Sequence, residues 1–258
     1  MHRFATFGKR IARTALVAAL ALSSSSMSPV SGANAWSSAE PPANPVRVTQ
    51  ADVDVSNRKA AGAYGALVSM WTREFDRLGE EFAAPRLARY RSHVRTPCGV
   101  IPPSNASYCL AANTIYYDDV FLAAQAKIAG QALDMDGDMA AVGIIAHEMG
   151  HAVAMQLGFR ARDSYANEAV ADCLAGAFAR QSDVDGSLED GDIDEAFFGM
   201  ASAGDPMPMA SGDPERDRRI ARLIARNSHG TREQRMQNFR DGLTRGSGAC
   251  LAPLNAAS

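Results

Sequence analysis

The chain of 258 residues has no apolar run long enough to span a bilayer. Its candidate, TALVAALAL at residues 14–22, falls well short of the roughly 20 residues a spanning helix needs. It also lacks an excess of positive charge. Lys and Arg number 26 against 29 Asp and Glu, a formal net charge of -3, so nothing electrostatic points to nucleic acid as a partner. The basic run RDRRIARLIAR at 216–226 reads instead as the wet face of an amphipathic helix. There is no internal repeat and no C-x-x-C spacing, which argues against cysteines as zinc ligands. Two acidic stretches lack what a calcium loop requires. In DMDGDM at 134–139 the glycine stands at the fourth position and Ile145 takes the place of the closing glutamate. In DVDGSLEDGDID at 183–194, Leu188 stands where the glycine belongs. The first reads as a polar turn with Asp138 as helix cap, the second as an acidic turn entering a helix.

What is present begins with a targeting segment. Arg3, Lys9, Arg10 and Arg13 flank or precede the short apolar run, and ANA at 33–35 offers a small-x-small cleavage site before Trp36. No cysteine lies nearby to carry a lipid. The reading is an exported protein, secreted or kept at the cell envelope. Residues 1–35 are its removed signal peptide and 36–48 a flexible lead-in, within a stretch rich in Ser, Pro and Ala. In an oxidising compartment four cysteines suggest two disulfides. Cys98 and Cys109 flank a short loop and are paired, which leaves Cys173 with Cys250. The short loop contributes on the order of 3 kcal/mol in the chain-entropy account, and the long one more.

The rest, 49–258, reads as one domain, with 47% apolar residues over the whole chain. From 55 to 82, Tyr64, Leu67, Val68, Trp71, Phe75 and Leu78 recur mostly at spacings of three and four, a helix with one apolar stripe. APRLARY at 84–90 and TPCGVIPPSNASYC at 96–109 read as loop and turn, and NTIYYDD at 113–119 as a strand. A further helix is expected from about 139 to 157, closed by Gly158. The fold class is α+β, mainly helical, with a small sheet.

That helix contains IIAHEMGHAV at 144–153. His147 and His151 are one turn apart, so both imidazoles face one way and can meet one zinc ion. Glu148 lies beside that face, placed to take a proton from a water as general base. Three protein ligands are needed. A third histidine in the longer version of this motif would fall at 157, which is Leu157. The next helix, NEAVADCLAGAFAR at 167–180, supplies carboxylates instead. Glu168 can reach the metal, and Asp172, one turn on, can accept the second N–H of His147 and fix its tautomer. Ala169, Ala171, Ala175 and Gly176 let this helix approach a neighbour closely.

HEMGH followed by NEAVAD resembles the gluzincin arrangement. From about Gly65 to Leu251 the chain resembles the putative neutral zinc metallopeptidase family of bacteria, through MWTREF, AHEMGH, EAVADCLAG, LEDGDIDEA and HGTREQR. The resemblance implies a zincin-like core and Zn2+ as cofactor. Its zinc ligands would be His147, His151 and Glu168, with Glu148 as base. Leu110, Val100 and Ile101 depart from the family's pattern, away from these residues. The activity implied is a zinc-dependent endopeptidase acting on peptides or proteins. The alternative is a catalytically silent zinc-binding protein of the cell envelope. Gluzincins often use a downstream histidine to support the developing oxyanion. His229 is the first candidate for that role here, with Arg235 and Tyr165 as rivals. The likeness to zincins also suggests that TIYY offers a sheet edge to an extended peptide. His93 reads as a solvated loop residue.

Overall fold

The computed structural model describes residues 46–205, 213, 215, 218–219 and 229–255. The expected signal peptide, residues 36–45 of the lead-in and most of the basic run at 216–226 lie outside the described residues.

Helix α1 (Gln50–Leu78) starts at a capping box, in which Thr49 and Asp52 each accept the other's backbone N–H. Gly79, at φ 75°, ends it in the left-handed conformation glycine adopts without penalty. It thus begins and ends earlier than the expected 55–82. Leu67, Trp71 and Phe75 form the buried stripe, whereas Leu78 at the end is exposed.

The segments read as loop are largely short strands. They are β1 (Arg86–Tyr90), β2 (Val94–Thr96), β3 (Gly99–Ile101) and β4 (Ala106–Cys109). The expected strand is β5 (Thr114–Asp118). At three to five residues each, interrupted by Pro97, Pro102 and Pro103, the new strands leave too short a pattern to outweigh their turn residues. The three-stranded sheet has the order β1-β5-β4, with β5 parallel to β1 and antiparallel to β4. β5 is therefore central, and TIYY has no free edge. The edges are β1 and β4, and β4 is the one beside the site. β2 and β3 form a separate hairpin. The Cys98–Cys109 disulfide ties that hairpin to β4.

Asp118 caps α2 (Asp119–Leu133) by accepting from Val120 and Phe121 N–H. Next comes α3 (Asp138–Gln156), which carries the paired histidines. It is apolar nearly all round and buried from Met139 to Ala154 apart from Ile144, so it runs through the core. Asp138 is not its cap. Gly137 holds that position at φ 81°, and Asp138 is the first helical residue, ion-paired with Lys59. The leading amides go elsewhere: Gly137 and Met139 N–H donate to the two oxygens of Glu195, at 2.7 and 3.0 Å. Glu195 belongs to α5 (Asp192–Ser202), so the two acidic stretches of the sequence meet here, with Asp136, Asp138, Asp192 and Glu195 converging. At the far end Gly158 N–H bonds Met155 O and Phe159 N–H bonds Ala154 O, the double closure that follows a left-handed glycine.

α4 (Ser164–Val184) is capped by Asp163 and crosses α3 where both are small. A Cβ on Gly150 would stand 2.8 Å from Ala171 O. On its other side α4 meets α6 (Arg232–Arg245) even more closely. A Cβ on Gly176 would fall 1.9 Å from Phe239 O, and one on Gly242 1.8 Å from Cys173 O. The Cys173–Cys250 disulfide then ties α4 to α7 (Ser247–Asn255). The fold is α+β and mainly helical, and no described helix is long and apolar enough to cross a membrane.

Two measurements check this packing. Gly176→Ala should destabilise the protein by at least about 2 kcal/mol in urea unfolding, because overpacking forces α4 and α6 apart; an unchanged midpoint would mean the helices are looser than described. The second concerns Glu195, which burial and the neighbouring Asp136 push up from 4.5 to about 7, against the two amides. A carboxyl raised in the fold keeps its proton where the unfolded chain has lost it. Its contribution to stability is full below pH 4.5 and is lost as pH rises to about 7. Asp136→Asn should therefore flatten the fall in unfolding free energy across that window, and parallel pH curves for the two proteins would contradict it.

Candidate metal centre

The i, i+4 spacing on α3 aims His147 and His151 at the same point. Their rings stand edge to face with centroids 4.7 Å apart and Nε2 atoms 3.1 Å apart. The α3–α4 crossing at Gly150 and Ala171 brings Glu168 over them. Glu168 Oε2 lies 3.0 Å from His147 Nε2, and Oε1 lies 3.6 Å from His151 Nε2. All three side chains are buried or nearly so.

Lone pairs on two ring nitrogens and a carboxylate cannot converge like this unless something positive stands among them. With a proton in that place, burial works against the charged imidazole. Asp172 and Glu168 outweigh it and push His147 up from 6.5 to about 9. Burial would likewise raise Glu168, yet His147 and His151 hold it well below the usual carboxylate range. A divalent ion also fits this place. Ligands at roughly 2.0–2.1 Å around a tetrahedral ion lie about 3.3 Å apart, close to the spacings found. The nitrogen and oxygen donor set suits zinc, so these residues fit it.

Asp172 has no solvent exposure. Its Oδ1 lies 2.8 Å from His147 Nδ1, which leaves Nε2 as the atom facing the centre. Arg235, reached through the tight α4–α6 contact, donates to both oxygens of Asp172, at 3.1 Å from Nε and 2.6 Å from Nη2. Burial alone would raise the Asp172 carboxyl; Arg235 and His147 lower it instead. Arg235 also donates to Ala203 O. His151 differs, since its buried Nδ1 has no hydrogen-bond partner among the described residues.

Glu148 is buried beside the centre and accepts the Tyr108 N–H at 2.7 Å. Tyr108 stands opposite Ile115 in the β4–β5 pair, yet its amide points away from β5 toward α3. The free edge of β4 therefore faces the helix that carries the histidines. A cleft of about 460 Å³ opens here. Asn105 to Tyr108 line one wall, while Phe121, Ile144 and Met200 line an apolar part.

Of the three residues considered for oxyanion support, His229 lines the cleft from an exposed position, where Asp205 accepts its backbone N–H. Arg235 lines it from below, engaged with Asp172. Tyr165 packs its ring against Gly230. His93 is exposed on a loop. Sequence reasoning missed Tyr108, whose contribution is a backbone amide that any residue except proline would carry. It also missed Glu195 as the acceptor for the leading amides of α3, and it considered Arg235 only for the cleft.

A model of the family described as "Putative neutral zinc metallopeptidase" matches residues 15–252 of the chain. Two relatives from Escherichia coli, of strains K12 and O6:H1, both carry the name "Uncharacterized protein YpfJ". Each is 31% identical over 204 residues, covering 69% of this chain and 64% of the relative. The chain thus spans less than two thirds of the length of these relatives. No solved structure matches it.

Asp172→Ala should weaken zinc affinity by roughly 10–100-fold, since it frees the His147 ring and strands Arg235. Competition with a fluorescent chelator measures this, and unchanged affinity would remove Asp172 from the centre.

Proposed function

The chain belongs to the putative neutral zinc metallopeptidase family, and from that premise we propose that it is a zinc-dependent endopeptidase. The observation that carries the proposal is the convergence of His147, His151 and Glu168 beside an acidic residue that is not needed as a ligand, Glu148. A purely structural zinc would call for a fourth protein ligand and would have no use for Glu148.

In this reading His147, His151 and Glu168 hold the ion, and Asp172 with Arg235 behind it keeps His147 turned toward it. Zinc, when bound, supplies Lewis acidity to a scissile carbonyl and makes a water easier to deprotonate. Glu148 receives that water's proton and hands it to the departing amine nitrogen. The wall of the cleft made by β4 flanks an extended peptide, with its Tyr108 amide kept for Glu148. His229 at the mouth of the cleft donates to the negative charge that develops on the substrate carbonyl oxygen. Residues 49–258 form the peptidase domain. The paired cysteines and the basic-then-apolar N-terminus support export of the mature protein, with residues 1–35 as signal peptide.

Purified protein should hold about one zinc per chain and cleave peptides from a quenched-fluorescence library in a chelator-sensitive way. Glu148→Gln should keep the zinc and lose roughly 10²–10⁴-fold in kcat. Cleavage that survives this substitution would reject Glu148 as base. A wild-type protein that binds zinc and cleaves nothing would leave a metal-binding envelope protein as the reading.

A further inference from the structure

We propose that the Cys98–Cys109 disulfide is a positioning element for Glu148, acting through the backbone amide of Tyr108. The proposal rests on the peptidase reading for its kinetic consequence, while the geometry stands apart from it.

Tyr108 N–H is 2.7 Å from Glu148 Oε2, so the main chain of β4 holds one of the two carboxylate oxygens in place. A backbone amide cannot swing as a side-chain donor can. Its position is set by whatever fixes the strand. β4 has four residues and, among the described residues, pairs with β5 alone, so its other side offers no sheet neighbour there. Its start is steadied by Tyr90, whose hydroxyl donates to Asn105 O at 2.9 Å. Its end is Cys109, the residue directly after Tyr108, buried and covalently tied to Cys98 in the turn of the β2–β3 hairpin. The crosslink thus acts one residue from the amide that orients Glu148. The other disulfide, Cys173–Cys250, ties α4 to α7 and touches neither β4 nor Glu148. Its removal is a control for the Tyr108–Glu148 contact, which it does not adjoin.

A base that is free to rotate still binds substrate but spends less time in the geometry that moves a proton, and misplacements near 1 Å can cost on the order of 10²-fold in rate. The test compares wild type with Cys98→Ala/Cys109→Ala and with Cys173→Ala/Cys250→Ala. A quenched-fluorescence peptide that the wild type cleaves is the substrate. The first variant should lose about tenfold in kcat with KM within about twofold, while keeping its zinc. The second, whose Cys173 adjoins Asp172 and not Glu148, should lower Tm and is compared through the Tyr108 contact alone. Amide hydrogen exchange, followed by NMR on EDTA-treated protein, reads the same contact without turnover. Tyr108 should exchange about tenfold faster in the first variant and unchanged in the second. In Glu148→Ala, Tyr108 should exchange fast whether or not the Cys98–Cys109 bond is present.

An unchanged kcat in the folded, zinc-loaded first variant would overturn the proposal. So would unaltered Tyr108 exchange in the first variant, or an equal acceleration of it in the second. If the wild type cleaves no peptide, the peptidase reading fails, and the exchange comparison alone decides whether the disulfide positions Glu148.

Discussion

Asp172 is a carboxylate with no access to water, which is tolerable only because His147 and Arg235 both reach it. A buried charge left without its partner costs on the order of 3–5 kcal/mol. The three residues come from α3, α4 and α6, so none of these helices can shift without exposing that cost. His147 is turned by Asp172, and its turning decides which ring nitrogen faces Glu168 and His151. The candidate centre is therefore a consequence of how one buried anion is satisfied.

Such a contact demands that helices come closer than ordinary side chains allow. Gly150 against Ala171, and Gly176 and Gly242 against the backbones of α6 and α4, remove the obstructing atoms. The helix that bears the histidines is fixed at its N-terminus as well. Glu195, on another helix, accepts its leading amides. The same carboxylate is pushed up by burial and by Asp136. Anchoring α3 through a buried acid therefore brings a pH-sensitive element into the core.

The sheet enters the site through main-chain atoms. β4 lies along one wall of the cleft, its edge directed at α3, and Tyr108 offers its amide to Glu148. Nothing in the side chain of Tyr108 announces this. The Cys98–Cys109 bond, beside that amide, joins a hairpin and a strand that are otherwise in separate sheets.

Spacing of three and four residues, and the chemistry of the groups so spaced, were enough to make His147, His151, Glu148, Glu168 and Asp172 legible as one constellation. A helix converts sequence distance into direction, and the approach of the two helices needed only small residues. The cysteine partners were equally legible, because one loop is short and two cysteines remained. The strands of three to five residues were not, nor was the central place of β5. A strand that short is defined by what it pairs with, and the pairing lies between segments distant in sequence. The role of Glu195 and the burial of Arg235 beneath Asp172 share that character. Periodicity reports how a segment meets its surroundings; which surroundings it meets is decided only when the helices and strands pack.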